Sequence, residues 1–438
     1  MRSIVALEPY VPIDRIFSLF AEETDAVILE SSLHNQLGRY SIIGRKPYMK
    51  VVKDQHLWVN GERREESFAA FMGAYLKENK EDNPTDLPMI DGGIGFLSYD
   101  YNRGVETALP ECMFLFYDQL IIEDHAQRQI HLIANGKLAD SSSAIAELTS
   151  AILGLQDIPA TSSPVGQVSI QGNFEKEAYK QAIQEMIQYI IEGDIYIANM
   201  TQRLDIRSGR APYEVYARLR ERNPAPFAAY LNYLGLQIIC ASPERFLKME
   251  DHKVVTRPIK GTRKRGATEA EDQALKEELR NSEKDQSELL MIVDLERNDL
   301  NRVCVPGSVQ VDELFTVESY ATVHHLVSNI SGVLEKDLTA IDLLEATFPG
   351  GSITGAPKIR AMEIIEELEN GHRGLYTGSI GYISLNGDCD FNIVIRTAVH
   401  QNGVYSLGVG GGITCESDLE FEHEETLQKA KAVIDALS

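Results

Sequence analysis

The amino-acid sequence predicts an α+β fold, because short β-like runs joined by tight turns alternate with amphipathic helices. In the last third of the chain, Asn386-Gly387 and Asn402-Gly403 separate three β-like runs at 377–385, 389–400 and 404–413. Asn-Gly is the strongest short-range signal for a β-hairpin, so we predict a three-stranded antiparallel meander. A final helix follows it, with a single apolar stripe. The stripe consists of Leu427, Ala430, Val433, Ile434 and Leu437.

The first part of the chain is predicted to be largely antiparallel sheet with some helix. Its β-like runs are punctuated by Asn60-Gly61 and Asn135-Gly136, which predict hairpin turns. We place an N-terminal domain at 1–155 and a linker at 156–172, where proline, serine and glycine interrupt every periodic pattern. The catalytic domain is expected at 173–438.

The segment after the linker opens with a clear helix at 174–192, whose apolar residues recur every three or four positions up to Gly193. Two further helices are predicted, one from the capping residue Ser282 to about Leu295 and one at 357–369. Between the first helix and these two lie short, turn-bounded strands. They are predicted at 237–242, 245–250 and 253–259.

Composition excludes several classes of function. The chain has 438 residues, enough for two or three domains, and a net charge of -24, which disfavours binding to nucleic acid or to an anionic membrane. No apolar stretch is long enough for a membrane span. The five cysteines form no C-x-x-C pair, so neither a disulfide framework nor a zinc ribbon is indicated. We expect a cytoplasmic protein.

Acidic side chains late in the chain suggest a divalent cation. Glu288 shares a helical face with apolar residues, where an ionised carboxylate needs a partner. Glu422 and Glu425 lie one turn apart at the start of the last helix. Mg²⁺ takes oxygen ligands and often uses only one or two protein carboxylates. The alternative is that 416–425 is a solvated acidic face.

Other single residues have the chemistry of an active site. Lys260, flanked by proline and glycine at a strand end, becomes a nucleophile if burial lowers its pKa; most lysines are simply solvated. Glu244 and His325 are similar candidates, and Arg396 interrupts an apolar strand and needs an anionic partner if it faces inward. The run Gly408–Gly412 does not fit a Rossmann pattern, and 350–358 lacks the ending of a P-loop, but the exposed N–H groups of such glycine-lined backbone suit a small anion.

These segments together resemble the chorismate-utilising enzymes, which include anthranilate synthase component I, aminodeoxychorismate synthase component I, and the isochorismate and salicylate synthases. The resemblance spans essentially the whole chain. It rests on Gly-Asp-Ile-Tyr (193–196), Thr-Gln-Arg (201–203), Ser-Pro-Glu (242–244), Pro-Ile-Lys-Gly-Thr (258–262), Ile-Val-Asp-Leu-x-Arg-Asn-Asp-Leu (292–300), His-Leu-Val-Ser (325–328), Phe-Pro-Gly-Gly-Ser-Ile-Thr-Gly-Ala-Pro-Lys (348–358), Tyr-Thr-Gly (376–378), Ile-Arg-Thr (395–397) and Glu425-Thr with Lys429-Ala.

Within this family, Lys260 favours the aminodeoxychorismate synthases, because anthranilate synthases usually have Ala at that position. Asn223-Pro-Ala-Pro-Phe227 also resembles the aminodeoxychorismate branch. Ile197 replaces the lysine with which isochorismate and salicylate synthases activate water, and the Gln that is usual in the favoured branch. The alternatives are anthranilate synthase and a non-catalytic subunit that binds chorismate or tryptophan.

The resemblance implies two antiparallel β-sheets packed face to face with helices outside. It also implies a set of site residues. Mg²⁺ is expected at Glu288 and Glu425, with Glu422 close by. The substrate chorismate is expected at Gly261, Thr262, Ser352, Tyr376, Arg396, Gly410, Gly411 and Gly412.

For catalysis, the resemblance implies that Glu244 is the general acid and that Lys260 forms a covalent ring adduct, while His325 matches a site histidine of the family. Ammonia is expected from a separate glutamine amidotransferase subunit, because this sequence has no glutaminase signature. Leu29-Glu-Ser31 resembles the first domain of the anthranilate and aminodeoxychorismate branch, so Glu30 and Ser31 form a candidate tryptophan site.

Overall fold

The computed structural model describes residues 1–33, 37–155, 168–320 and 323–438. These residues form ten α-helices and one short 3₁₀ turn, Gly351–Ile353. The helices are α1 (Ile13–Ser18), α2 (Phe68–Glu78), α3 (Ser141–Leu153), α4 (Lys176–Glu192), α5 (Pro212–Arg222), α6 (Glu269–Arg280), α7 (Glu283–Asn301), α8 (Ala340–Thr347), α9 (Lys358–Leu368) and α10 (Leu419–Leu437).

The described residues also form 22 strands. They are β1 (Ser3–Leu7), β2 (Val27–Glu30), β3 (Tyr40–Lys53), β4 (Leu57–Val59), β5 (Glu62–Arg64), β6 (Gly92–Leu97), β7 (Cys112–Asp124), β8 (Gln129–Ala134), β9 (Ser169–Gly172), β10 (Ile197–Arg207), β11 (Phe227–Tyr233), β12 (Leu236–Ser242), β13 (Arg245–Glu250), β14 (Lys253–Thr256), β15 (Ile259–Lys264), β16 (Gln310–Ser319), β17 (Val323–Val333), β18 (Gly355–Ala356), β19 (Ser379–Ser384), β20 (Cys389–Asn392), β21 (Thr397–Gln401) and β22 (Val404–Ile413).

The strands are linked by antiparallel pairing into one hydrogen-bonded network. The predicted α+β class, with antiparallel sheet and helices packed on it, is therefore confirmed. The network joins distant parts of the chain: β2 pairs with β11, and β6 pairs with β19. Most of the predicted linker, 156–167, lies outside the described residues, and its end forms β9, which pairs with β10.

Three of the predicted helices are present with bounds close to those expected. Helix α4 ends at Gly193, whose φ of +88° is a conformation that glycine adopts without strain. Helix α7 begins after Ser282, whose side chain accepts a hydrogen bond from the Asp285 N–H, and it continues to Asn301, beyond the predicted end. Helix α9 follows Pro357.

The predicted three-stranded meander is wrong in its middle run. Residues 389–400 form two strands, because the chain leaves the sheet between Asn392 and Thr397. The first piece pairs with β19 and β13, and the second with β12 and β22. Arg396 lies in this break with a φ of +51°, a left-handed conformation that a strand cannot contain.

Two smaller predictions also fail. Asn60-Gly61 forms the expected hairpin between β4 and β5, but Asn135-Gly136 leads from β8 toward α3, and the Asn135 side chain donates to the Tyr117 carbonyl. On α10, Ala430, Val433 and Leu437 are buried as expected, whereas Leu427 is 45% exposed. The buried face continues toward the start of the helix through Thr426 and Glu422, and Leu427 lies beside it.

Helix α10 packs on β22, and α7 packs against β15 and β17. The site therefore lies between two helices that carry carboxylates and the strands that face them. Among the helices described, none combines the length and apolar composition that crossing a bilayer requires.

Candidate active site

Strand β15 carries the first group of site residues. It pairs with β17, and the register shifts between Lys260 and Thr262, so Gly261 forms a β-bulge. Gly261 has a φ of +70°, and a Cβ there would lie 2.8 Å from the Asp285 carboxyl carbon. Only glycine fits this turn of the backbone, which directs Lys260 and Thr262 separately into the site.

The Lys260 amine is in the middle of the site. Its Nζ donates to the Ser352 carbonyl at 3.2 Å and lies 3.7 Å from the position of a Cβ on Gly412. Burial lowers the pKa of Lys260, while the carboxylates of Glu288 and Glu244 act in the opposite direction. A lysine held in this way is more often neutral, and hence nucleophilic, than one in water.

Glu244 is a buried carboxyl group close to that amine. Its Oε1 accepts a hydrogen bond from the Ser352 hydroxyl at 2.8 Å. Burial raises the pKa of Glu244, and the Ser352 hydrogen bond, Lys260 and Arg396 oppose this rise. A carboxyl group whose pKa is raised retains a proton that it can give to a leaving group, which is the property a general acid needs.

His325 lies opposite Thr262 on the neighbouring strand. The Thr262 Oγ1 and His325 Nδ1 atoms are 2.9 Å apart, and the histidine is 7% exposed. Burial, reinforced by the positive charge of Arg396, lowers the pKa of His325 to about 4. The imidazole is therefore neutral at pH 7.

Arg396 leaves the sheet and points its charge into the site. Burial lowers its pKa, and Glu244 is the acidic group that opposes this effect. Within the described parts of the chain, its guanidinium forms no hydrogen bond or ion pair. The strained backbone, at a φ of +51°, places a planar double donor where a carboxylate ligand can bind it with two hydrogen bonds.

The glycine run lies on strand β22. One edge of Gly408–Gly412 pairs with β10, and β21 covers the other edge only as far as Leu407. Backbone N–H groups beyond that point are free to face a ligand. The Tyr376 side chain packs against Gly408, where a Cβ would come within 2.1 Å of the ring. A cavity of about 350 Å³ opens beside these two residues.

Three carboxylates lie on the helix side of the site. Glu422 Oε2 and Glu425 Oε2 both approach Gly411, at 3.2 and 3.3 Å from the position of its Cβ. Burial raises the pKa of Glu422, and the charge of Glu425 adds to the rise. Burial likewise raises the pKa of Glu288, with Glu425 again contributing.

These carboxylates have the donor chemistry that Mg²⁺ requires. Glu422 Oε2 is buried without a hydrogen-bond partner, which is costly unless a cation or a proton joins it. In the described residues no cluster of three or more metal-ligating side chains is assembled. The arrangement thus fits a cation held by one or two carboxylates, with its remaining ligands from substrate and water.

The predicted catalytic, substrate and metal residues meet at this site, and the candidate tryptophan residues Glu30 and Ser31 lie outside it, in the first domain where they were predicted. Glu30 is on strand β2, borders a separate cavity of about 620 Å³, and forms an ion pair with Arg220 and a hydrogen bond with Tyr216. The Ser31 N–H donates to Ser41 Oγ at 2.9 Å. Their role in binding tryptophan stays a prediction.

Two residues of the site were given no role from the sequence. Lys429 on α10 forms an ion pair with Glu425 at 3.1 Å and donates to the Gly410 carbonyl at 2.9 Å. Glu296 is buried on α7, two turns after Glu288 and on the same face. The eight-residue spacing from Glu288 could have indicated from the sequence that Glu296 lies on the same face of the helix.

A lysine and a carboxyl group with shifted pKa values, an unpaired arginine and open backbone N–H groups define an enzyme site for a small, multiply charged anion. The comparisons with known proteins agree with this class. The family model described as chorismate binding enzyme matches residues 25–435.

Individual relatives cover nearly all of the chain. Aminodeoxychorismate synthase component 1 of Bacillus subtilis (strain 168) is 40% identical, with 94% of this chain and 91% of that protein aligned. Anthranilate synthase component 1 of Acetivibrio thermocellus is 36% identical, with 99% and 94% aligned. The crystal structure of anthranilate synthase component I from Streptococcus pneumoniae TIGR4 matches with a TM-score of 0.81 at 31% identity, covering 92% of this chain and 93% of that one. The protein belongs to the family of chorismate binding enzymes.

Proposed function

We propose that this protein is an aminodeoxychorismate synthase component I, which converts chorismate and ammonia to 4-amino-4-deoxychorismate for the synthesis of 4-aminobenzoate and folate. The observation that carries the proposal is the Lys260 amine, held between the Ser352 carbonyl and the glycine strand with a lowered pKa. The 40% identity to the Bacillus subtilis aminodeoxychorismate synthase component 1 supports it.

The two carboxylates of chorismate have complementary groups in the site. The Arg396 guanidinium, with Tyr376 beside it, is available for the enolpyruvyl carboxylate. The ring carboxylate would bind at backbone N–H groups of Gly410–Gly412 and Gly261, the Thr262 hydroxyl, and Mg²⁺ held by Glu288 and Glu425 with Glu422 adjacent. Bound there, the cation supplies positive charge that neutralises the carboxylate.

The chemical steps follow from the protonation states of the two central groups. Neutral Lys260 attacks ring carbon C2 while Glu244 gives its proton to the C4 hydroxyl, which leaves as water as the ring double bonds shift. The lysine is then bonded to the ring. Ammonia adds at C4, the double bonds shift back, and the C2–N bond to Lys260 breaks to release the aminated product. The enolpyruvyl group stays attached throughout.

Ile197 lines the site at the position where a polar residue is expected. Its Cδ1 lies 3.3 Å from the position of a Cβ on Gly412, on the side where Lys260 Nζ approaches. An apolar side chain there offers no base to activate water. This favours attack by an amine over attack by water, and hence amination over isochorismate formation. Ammonia would come from a separate glutamine amidotransferase subunit.

The decisive experiment is mass spectrometry of the product formed by the purified chain from chorismate, Mg²⁺ and excess ammonium, without a partner subunit. A product that retains the enolpyruvyl group, and that a lyase converts to 4-aminobenzoate, supports the proposal. Anthranilate together with free pyruvate would contradict it and assign the tryptophan branch. Chorismate that binds but is never turned over would establish a non-catalytic subunit.

A further inference from the structure

A second buried carboxyl group, Glu296, lies behind Glu244, and the chemistry described above does not use it. It is 9% exposed and on α7, beneath the Gly351–Ile353 turn: a Cβ on Gly351 would lie 3.6 Å from Glu296 Cγ. That turn carries Ser352, whose hydroxyl donates to Glu244 and whose carbonyl accepts from Lys260. Glu296 therefore supports the segment that holds both groups.

The contacts of the Thr256 hydroxyl indicate whether the Glu296 carboxyl group carries a proton. Thr256 Oγ1 lies 2.6 Å from the Phe246 carbonyl oxygen and 2.9 Å from Glu296 Oε2. A threonine hydroxyl has one hydrogen, and a carbonyl oxygen can only accept. The shorter contact therefore takes the Thr256 hydrogen, and the contact with Glu296 needs a hydrogen from the carboxyl group itself.

We propose that Glu296 is a neutral carboxylic acid that positions the general acid Glu244, through a chain of hydrogen bonds from α7 to β13. In this chain the Glu296 carboxyl donates to Thr256, and Thr256 donates to the carbonyl of Phe246, two residues after Glu244. Loss of the proton breaks the chain, because an ionised carboxylate and the Phe246 carbonyl would then compete for the single Thr256 hydrogen.

The charged surroundings of Glu296 agree with a neutral group. The charged side chains facing it are Glu244, Asp299 and Lys358. The Lys358 amine has other partners: it forms an ion pair with Asp299 and donates to the carbonyls of Thr347 and Pro349. Burial raises the pKa of Glu296 to about 8; the contact with Thr256 and the charge of Lys358 oppose this rise, and the charges of Glu244 and Asp299 add to it.

The hydrogen-bond chain from Glu296 to Phe246 also predicts how variants differ in activity. In Glu296→Gln, the amide can donate to Thr256 as the acid does, so we expect kcat at pH 7 to stay within about twofold of the wild type. Thr256→Val removes the central link, and we expect kcat to fall about 10- to 100-fold with little change in KM. The control Glu283→Gln alters an exposed carboxylate in the first turn of the same helix and leaves kcat unchanged.

The pH dependence separates a positioning role from a purely structural one. In the wild type, ionisation of Glu296 near pH 8 breaks the chain and lowers kcat, whereas Glu296→Gln has no proton to lose there. We expect the variant to retain activity at pH 9 relative to the wild type, and superimposable profiles would contradict the proposal.

The effect on kcat rests on the proposed function, but the protonation state does not. It is measured by ¹³C NMR of protein labelled at the glutamate carboxyl carbons, with the Glu296 signal assigned by its absence in Glu296→Gln. A signal that titrates near pH 8 is expected. A signal that titrates below pH 6 would overturn the proposal even if the enzyme makes aminodeoxychorismate. A titration near pH 8 in a protein that makes anthranilate would overturn the proposed function alone.

Discussion

The candidate active site and the cavity that Glu30 borders differ in how their buried charges are satisfied. Glu30 has an arginine and a tyrosine as partners, both contributed by α5. In the active site, the Arg396 guanidinium forms no hydrogen bond or ion pair in the described residues, and Glu422 Oε2 has no hydrogen-bond partner. The charge of Glu30 is satisfied within the protein, whereas the active site leaves charged groups available for a ligand.

This difference identifies the groups that can gain interactions when a ligand binds. A buried polar group without a partner destabilises the folded protein, so such groups are expected mainly at functional sites, where a bound ligand satisfies them. Of these two groups, Arg396 has the charge that a substrate carboxylate needs, and Glu422 has the charge that a bound cation needs. Removal of an unpaired buried charge should therefore affect activity or ligand binding, and removal of a paired one should affect stability.

The largest effect is expected for Lys260→Ala. Without the amine no covalent adduct forms, so we expect kcat for amination of chorismate to fall about 1000-fold or more. The matched control is Lys264→Ala, at the exposed end of the same strand, which should retain normal activity. Near-normal anthranilate formation by Lys260→Ala would show that the lysine has no catalytic role.

Arg396→Gln tests the unpaired guanidinium. Loss of a two-pronged, charge-assisted contact should raise KM for chorismate about 100-fold, and Arg396→Lys should recover only part of that loss. Arg297→Ala is the control, because Arg297 is exposed and pairs only with the nearby Asp294. Unchanged KM in Arg396→Gln would mean that the arginine binds no substrate carboxylate.

His325 predicts an acid-sensitive contribution to stability. Its pKa is about 4 in the folded protein and about 6.5 when unfolded, so between these values the unfolded state binds the extra proton. Stability from this group is complete above pH 6.5 and is lost as the pH falls toward 4, by at most about 3 kcal/mol. Urea unfolding of His325→Gln at pH 7 and pH 4.5 should show a smaller loss than the wild type.

Glu30→Gln and Glu422→Gln compare the two regions directly. Glu30→Gln should lower the free energy of unfolding by about 2 kcal/mol, because Arg220 loses its charge-assisted hydrogen bond to Glu30 and keeps its ion pair with Asp14, and it should not change kcat. Removing the unpaired charge should leave stability unchanged or higher and weaken Mg²⁺ binding about tenfold. Urea unfolding and Mg²⁺ titration of activity measure both effects, and equal loss of stability in the two variants would remove the distinction.

Much of the fold could be predicted from the sequence because its signals are local. Helix α4 follows from its apolar period and its closing glycine, and helix α7 from the capping residue Ser282. The break at Arg396 could not be predicted in this way, since its left-handed backbone depends on tertiary contacts. Leu427 was assigned to the core because it is apolar, whereas the buried face at that level of α10 is formed by the polar residues Thr426 and Glu422.

The candidate site was predicted mainly through the family resemblance, because its residues come from nine separate segments of the chain. Composition and spacing alone left Lys260 and Glu422 with ordinary alternatives. The structure adds what a linear pattern cannot contain, namely that Glu422 and Glu425 converge on Gly411 and that Glu296 lies beneath the Ser352 turn. Both facts depend on side chains from distant segments meeting at one point.

The role of Lys260 as a nucleophile can be tested by trapping its covalent adduct with the substrate. The purified protein is incubated with chorismate and Mg²⁺ in the absence of ammonium, and intact-protein mass spectrometry is followed by peptide mapping. The account predicts an added mass equal to chorismate less one molecule of water, located on the peptide that contains Lys260 and absent from Lys260→Ala. Turnover of chorismate to an aminated product without any adduct on Lys260 would contradict it.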